Sequence, residues 1–149
     1  MKLYLIRHGQ AAAIPPDPEQ YLTSAGRAGI EKLSCRLGKK GLKVSQIFHS
    51  EKARARETAE IMAAQIGPDI RLNIHKHIKP NDDPQWLAND IANWDADTLI
   101  VSHLPFIPAL LNLLVVDAST SYGISFEPGT VICLTPNAGH WKIEWVEEP

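Results

Sequence analysis

The sequence predicts an α/β domain, a three-layer α/β/α sandwich on a mostly parallel, mixed sheet with no cap subdomain. Three observations carry this expectation. Short apolar runs rich in strand formers alternate with segments whose apolar residues recur at helical spacing, as in a sheet covered by crossover helices. The last two runs, TVICLTP and HWKIEWV, are separated only by PNAG and read as an antiparallel hairpin that makes the sheet mixed. The chain has 149 residues, 44% of them hydrophobic, and so matches the usual size of one domain, about 100–150 residues. Residues 1–149 are expected to form a single domain.

Residues 2–7 (KLYLIR) are apolar and bounded by a glycine just past their end, as a buried strand should be. AAAIPPDPEQ follows and reads as a loop, because its three prolines fix φ and remove backbone donors. Thr23 is placed as an N-cap. Ile30, Leu33 and Leu37 then recur at helical spacing until Gly41 stops the helix. SQIFHS holds a second strand, and Ser50 is placed to cap the helix after it. On that helix Ala55, Ala59, Met62, Ala63 and Ile66 share a face before Gly67-Pro68.

Residues 70–74 alternate apolar and polar as in a half-buried strand, and Leu87, Ile91 and Trp94 repeat at helical spacing after Pro84. DTLIVSH is again a strand ending on histidine, and LPFIPALLNLLVV reads as a largely buried helix. Only 49 positions separate Arg54 from His103, too few for strands, helices and a large inserted cap together.

Composition excludes some classes of function. A net charge of −2 argues against a nucleic-acid or anionic-membrane protein, which needs a basic face to neutralise phosphates. Cys35 and Cys133 lie far apart without metal-ligand spacing, which fits a reduced cytoplasmic setting. The apolar run before Arg7 is shorter than the roughly 7–15 residues of a signal-peptide core. FIPALLNLLVV is likewise too short for a bilayer, which takes about 20 residues. No membrane partner is expected.

Chemistry is expected at the carboxyl ends of the parallel strands, where ligands bind in open α/β sheets. Two strands end there on histidine, His8 and His103, and a third junction, FHSEKARARET, brings Arg54 in the first turn of its helix. These residues resemble the histidine phosphatase, or phosphoglycerate-mutase-like, superfamily. Its Arg-His-Gly opening matches Arg7-His8-Gly9, and its Leu-Thr-x-x-Gly helix start matches Leu22-Thr23-Ser24-Ala25-Gly26. The Ser-x-x-x-Arg-Ala-x-x-Thr-Ala stretch is similar to Ser50, Arg54, Ala55, Thr58 and Ala59, and the late strand-end histidine to His103 in VSHLP. The Ser-His-Leu-Pro form is similar to the short SixA-type branch of phosphohistidine phosphatases.

The resemblance implies a metal-independent, cofactor-free phosphatase in which His8 attacks phosphorus and forms a covalent phosphohistidine. The residue chemistry agrees. Imidazole attacks only when unprotonated, and neighbouring cations both disfavour its protonation and hold the phosphoryl group in line. Arg7 and Arg54 supply that charge through planar forks that match phosphate oxygens bidentately. Phosphate binding is expected from Arg7, Gly9, Arg54 and His103, with Gly9 letting the backbone pass close to the phosphate.

Many members of the superfamily carry an acidic proton donor, which is less evident here. Leu104 fills one usual place, and Asp82 and Asp83 are the candidates for the other, although Asp83 before Pro84 also reads as a helix N-cap. Asp17 and Glu19 are further candidates. An imidazole leaves phosphorus more readily than an alkoxide, so a site without a strong acid suits phosphohistidine. The expected substrate is a phosphorylated protein, of which a histidine-containing phosphotransfer domain is one form. Two alternatives stand beside it: a small-molecule phosphomonoesterase acting on a phosphate ester, and a phosphate-binding regulatory module with little turnover.

Arg56 lies about 200° around the helix from Arg54 and is expected on its solvated face. His75-Lys76-His77 would place two imidazoles on one strand face, which reads as an exposed edge strand rather than a metal site. His49 and His140 suggest no partner. Trp86, Trp94, Trp141 and Trp145 are read as core and edge packing, the last two on one strand face.

Overall fold

The computed structural model describes residues 1–116 and 123–149. Six strands form the main sheet: β1 (Leu3–Arg7), β4 (Gln46–His49), β5 (Arg71–Ile74), β6 (Thr98–Ser102), β7 (Val131–Asn137) and β8 (His140–Glu147). Their spatial order is β5-β4-β6-β1-β7-β8. The first four run parallel, while β7 and β8 add an antiparallel hairpin beside β1. Its two-residue turn, Ala138-Gly139, has φ of 49° and 83°, the left-handed geometry a tight hairpin needs.

Alternation along the strands divides the core into two layers. Tyr4 and Ile6 of β1 join Ile47, Leu99 and Val101 beneath α1 (Ser24–Lys39) and α2 (Ala53–Ile66), which contribute Ile30, Leu33, Leu37, Ala59 and Met62. Leu3 and Leu5 point the other way, with Ile100 and Ile132, onto α3 (Pro84–Ile91) and α4 (Phe106–Leu114). The small side chains of Ala55 and Ala59 are fully buried against the sheet. α4 is apolar nearly all round, with Phe106, Ile107, Leu110, Leu111 and Leu114 all buried.

The expected three-layer sandwich is therefore observed, with four corrections. The segment AAAIPPDPEQ is a loop only at residues 14–19. Its flanks pair as β2 (Ala11–Ala13) and β3 (Gln20–Leu22), a separate two-stranded ribbon. The prolines fall in the connection, so no ladder hydrogen bond is lost to them. Residues 75–77 lie beyond the end of β5, so His75 and His77 share no strand face. Trp141 and Trp145 also fall on opposite faces, Trp145 over the α1/α2 core and Trp141 over the other. A register irregularity between Cys133 and Leu134 lets Glu144 fall out of the pairing and reverses the alternation. Trp86 is not core packing, because 60% of it is exposed. Cys35 and Cys133 are free thiols. Among the described residues no helix is long and apolar enough to cross a membrane.

Candidate active site

Strand register assembles the site. Arg7 of β1 is the partner of Ser102 of β6, and the His8 amide extends this ladder by donating to the Ser102 carbonyl at 3.1 Å. The next residues on the two strands, His8 and His103, therefore lie side by side, their ring centroids 5.0 Å apart. On the other side of β6, Val101 pairs with His49, which brings Ser50 and the start of α2 to the same rim.

His8 is only 8% exposed. Its Nδ1 lies 2.7 Å from the Gly9 carbonyl. A carbonyl can only accept, so Nδ1 carries the proton and the other ring nitrogen is left with a free lone pair. That atom, Nε2, accepts from Arg54 Nε at 3.3 Å. Burial first, and then the charges of Arg54 and Arg7, push the His8 imidazole down to about 4 despite the opposing Gly9 carbonyl. The cations act in the expected direction, but removal of water is the larger cause. His103, 1% exposed, is pushed down to about 3, again chiefly by burial and then by His8, Arg54, Lys52 and Arg7. Both imidazoles are neutral near pH 7.

The arginines are placed by different means. Arg7 ends β1, and its Nη1 donates to the Phe126 carbonyl at 2.8 Å. Phe126 has a left-handed φ of 54°, uncommon for a bulky residue. Arg7 Nε is buried with no hydrogen-bond partner among the described residues, as is His103 Nδ1. Arg54 is the second residue of α2, a helix whose N-cap, Lys52, supplies no side-chain hydrogen bond. The missing cap comes from outside: Glu19 Oε1 accepts from the Ala53 amide at 2.9 Å. Ser50 is thus not the N-cap expected of it. Its Oγ instead accepts the Lys52 amide at 3.3 Å and bonds His103 Nε2.

The loop after β1 is held by close packing. A Cβ on Gly9 would come within 2.7 Å of Ile30 Cγ1 and 3.2 Å of the Gly26 carbonyl. On Gly26 it would lie 2.0 Å from the Gln10 carbonyl oxygen. Both glycines therefore let this loop lie against α1, so at Gly9 the requirement for glycine comes from the helix side. The Gly9 amide donates to Thr58 Oγ1 at 3.0 Å, and Thr58 in turn donates to the Arg54 carbonyl at 2.8 Å. Thr58 thus couples the loop after β1 to the turn bearing Arg54. Thr23 caps α1 as expected, accepting the Gly26 amide at 2.9 Å.

The structure brings together His8, Arg7, Arg54 and His103. It gives Asp82 and Asp83 local duties: Asp83 caps α3 through the Gln85 amide at 3.0 Å, and Asp82 accepts the Lys79 amide at 2.9 Å. Arg56 sits on the solvated face, 3.6 Å from Glu60. His49, which had no evident partner, bonds the Ser50 carbonyl through Nδ1. Sequence reasoning missed Ser50, Thr58 and Glu19 as site supports, along with Phe126, whose carbonyl accepts from Arg7, and Glu127, whose charge partly offsets the burial that lowers the proton affinity of Arg7. Ser50 and Thr58 had a signal, being polar residues at fixed spacing from Arg54. The others join the site only through long-range contacts.

A family model for the histidine phosphatase superfamily (branch 1) matches residues 3–79. An uncharacterized protein of Picosynechococcus sp. is 34% identical over 113 residues, 70% of this chain and 67% of that one. The fold matches a SixA-type protein from Agrobacterium tumefaciens at a TM-score of 0.85 and 21% identity, covering 99% of this chain and 97% of that one. It also matches a protein histidine phosphatase SixA complexed with tungstate, at a TM-score of 0.86 and 20% identity, covering 98% and 96%.

Proposed function

This chain belongs to the histidine phosphatase superfamily, and from that premise we propose that it hydrolyses phosphohistidine on a partner protein through a covalent intermediate on His8. One observation carries the reading. The His8 Nδ1 proton is committed to the Gly9 carbonyl, so a neutral imidazole holds its Nε2 lone pair beside the Arg54 guanidinium. A nucleophile kept unprotonated is what turnover requires and mere phosphate binding does not.

As the phosphoryl group enters, Arg54 exchanges its bond to Nε2 for bonds to phosphoryl oxygens, joined by Arg7 and His103. Nε2 then attacks phosphorus, a new N–P bond forms, and the bond to the substrate imidazole breaks. The departing nitrogen takes its proton from solvent. Water then attacks the phosphorus of phosphorylated His8, the N–P bond breaks and returns its electron pair to Nε2, the water proton passes to solvent, and inorganic phosphate leaves. Charge on the equatorial oxygens is met by fixed donors, so no metal is needed.

The carboxylates around the rim favour this substrate class over an ester. Asp82, Asp83 and Glu19 are each engaged with a backbone amide, whereas an alkoxide leaving group benefits from a free acid worth about 10²–10⁴ in rate. We therefore expect Asp82→Asn with Asp83→Asn to leave phosphohistidine hydrolysis within about threefold of the parent, short of that general-acid range. The deciding experiment compares turnover of a phosphorylated histidine-containing phosphotransfer domain with that of simple alkyl phosphates. Faster release from phosphohistidine, with an acid-labile phosphoenzyme, supports the proposal. Preferential ester hydrolysis would replace it with the phosphomonoesterase reading. Binding without turnover on either substrate would leave the regulatory module.

A further inference from the structure

His103 Nδ1 is a buried nitrogen with no hydrogen-bond partner among the described residues. Phosphoryl oxygens are acceptors, so this atom can help bind them only if it carries a proton. A neutral imidazole has one N–H, and the state of Nδ1 is therefore decided at Nε2. Nε2 lies 2.5 Å from the Oγ of Ser50, a fully buried side chain. That hydroxyl has one proton to give and two lone pairs. The Lys52 amide, which can only donate, occupies one lone pair at 3.3 Å.

Two arrangements remain. If Nε2 held the imidazole proton, the hydroxyl would accept twice, its own proton would find no acceptor, and Nδ1 would present a bare lone pair. If the hydroxyl donates to Nε2, every group of Ser50 is satisfied and Nδ1 becomes the N–H. Buried polar groups are seldom left unpaired, which selects the second arrangement. We propose that Ser50 is a positioning residue: it donates to His103 Nε2 and fixes the ring as the Nδ1–H tautomer, a neutral donor for a phosphoryl oxygen. The proposal rests on the phosphoryl-transfer reading of the site, but it concerns the free protein and is measurable there.

It also explains how two adjacent imidazoles can do opposite work without either being charged. His8 offers a bare nitrogen because its proton is held by a carbonyl, and His103 offers a proton because its bare nitrogen is held by a hydroxyl. A third cation beside the nucleophile, next to Arg7 and Arg54, is thereby avoided.

The test uses the full chain labelled with ¹⁵N-histidine, with His103 assigned by its disappearance in His103→Asn. Long-range ¹H–¹⁵N correlation should show His103 protonated at Nδ1 and unprotonated at Nε2. In Ser50→Ala the proton should move at least partly to Nε2. Tungstate and inorganic phosphate should then bind about tenfold more weakly, the scale of one lost hydrogen bond. Ser50→Thr, which keeps the hydroxyl, should restore both signatures. Protonation at Nε2 in the parent protein would overturn the proposal without reference to any variant. Retention of the Nδ1–H tautomer and of full anion affinity in Ser50→Ala would overturn it as well. If the tautomer and anion results hold while phosphohistidine is not hydrolysed, the positioning role stands and the substrate reading falls.

Discussion

Two pairs of histidines sit at the carboxyl ends of the sheet, and they differ in almost everything but proximity. His8 and His103 have ring centroids 5.0 Å apart, and His75 and His77 are 5.9 Å apart. The first pair is buried and flanked by Arg7 and Arg54. In the second, His75 bonds Asp90 at 2.9 Å, and His77 stacks on the exposed ring of Trp86. Even the tautomers are set oppositely: His8 Nδ1 meets a carbonyl and must donate, whereas His75 Nδ1 accepts the His77 amide at 3.1 Å. Two close imidazoles are therefore not a site in themselves. Burial that removes water, cations in place of a carboxylate, and one nitrogen kept bare distinguish the first pair.

The strongest way to break this contrast is to remove the proposed nucleophile. His8→Ala should abolish turnover and the acid-labile phosphoenzyme while circular dichroism stays native, and His77→Ala should change turnover by less than about twofold. If both variants kept full activity, the buried pair would not be the chemical centre.

Arg54→Lys sharpens the role of the cations, because it keeps charge and loses the fork. Each charge-assisted hydrogen bond contributes about 1.5–3 kcal/mol, so kcat/KM should fall roughly 10- to 150-fold. Arg56→Lys, on the solvated face of the same helix, should match the parent enzyme. Equal losses at both positions would show that the guanidinium geometry at Arg54 is not what matters.

Acid tests the environment rather than a residue. With His8 pushed down to about 4, the acid limb of kcat/KM should lie near pH 4, well below the ordinary histidine range near 6.5. Stability carries the same sign. Between about pH 6.5 and 4 the unfolded imidazoles bind protons that the folded His8 and His103 refuse, so stability falls as pH drops through that window. Melting temperatures recorded from pH 7 to 4 should decline, and His103→Asn should flatten the decline. An acid limb near 6.5 would mean that the site is wetter than its burial indicates.

The smallest expected effect tests a support that touches no substrate. Glu19→Ala removes the cap on α2 and should cost about 1 kcal/mol of stability together with a severalfold loss of turnover. Glu19→Gln retains an acceptor and should recover both. A loss confined to stability would show that Arg54 is positioned without this cap.

Much of this was legible in the chain because its signals are local. Apolar periodicity, Thr23 and Asp83 as caps, and Arg-His-Gly at a strand end all rest on interactions within a few residues, so β1, α1, α2, α4 and the placing of Arg7 and His8 at the end of β1 could be read directly. What failed did so where distant segments meet. The ribbon of β2 and β3 was hidden because proline composition describes its connection and not its flanks. The facing of Trp141 was lost to a bulge that only the pairing with β7 creates. By itself the sequence determined the α/β class and the kind of residue that ends each parallel strand, Arg7-His8 and His103, or opens the helix after one, Arg54, since these follow from residue identity and local periodicity. Only the tertiary structure decided which hydroxyl meets His103, which carboxylate caps the helix of Arg54, and why Gly9 must lack a side chain. Those contacts join residues roughly 15 to 50 positions apart, whose pairing is set by strand register and helix packing and leaves no periodic trace in the chain.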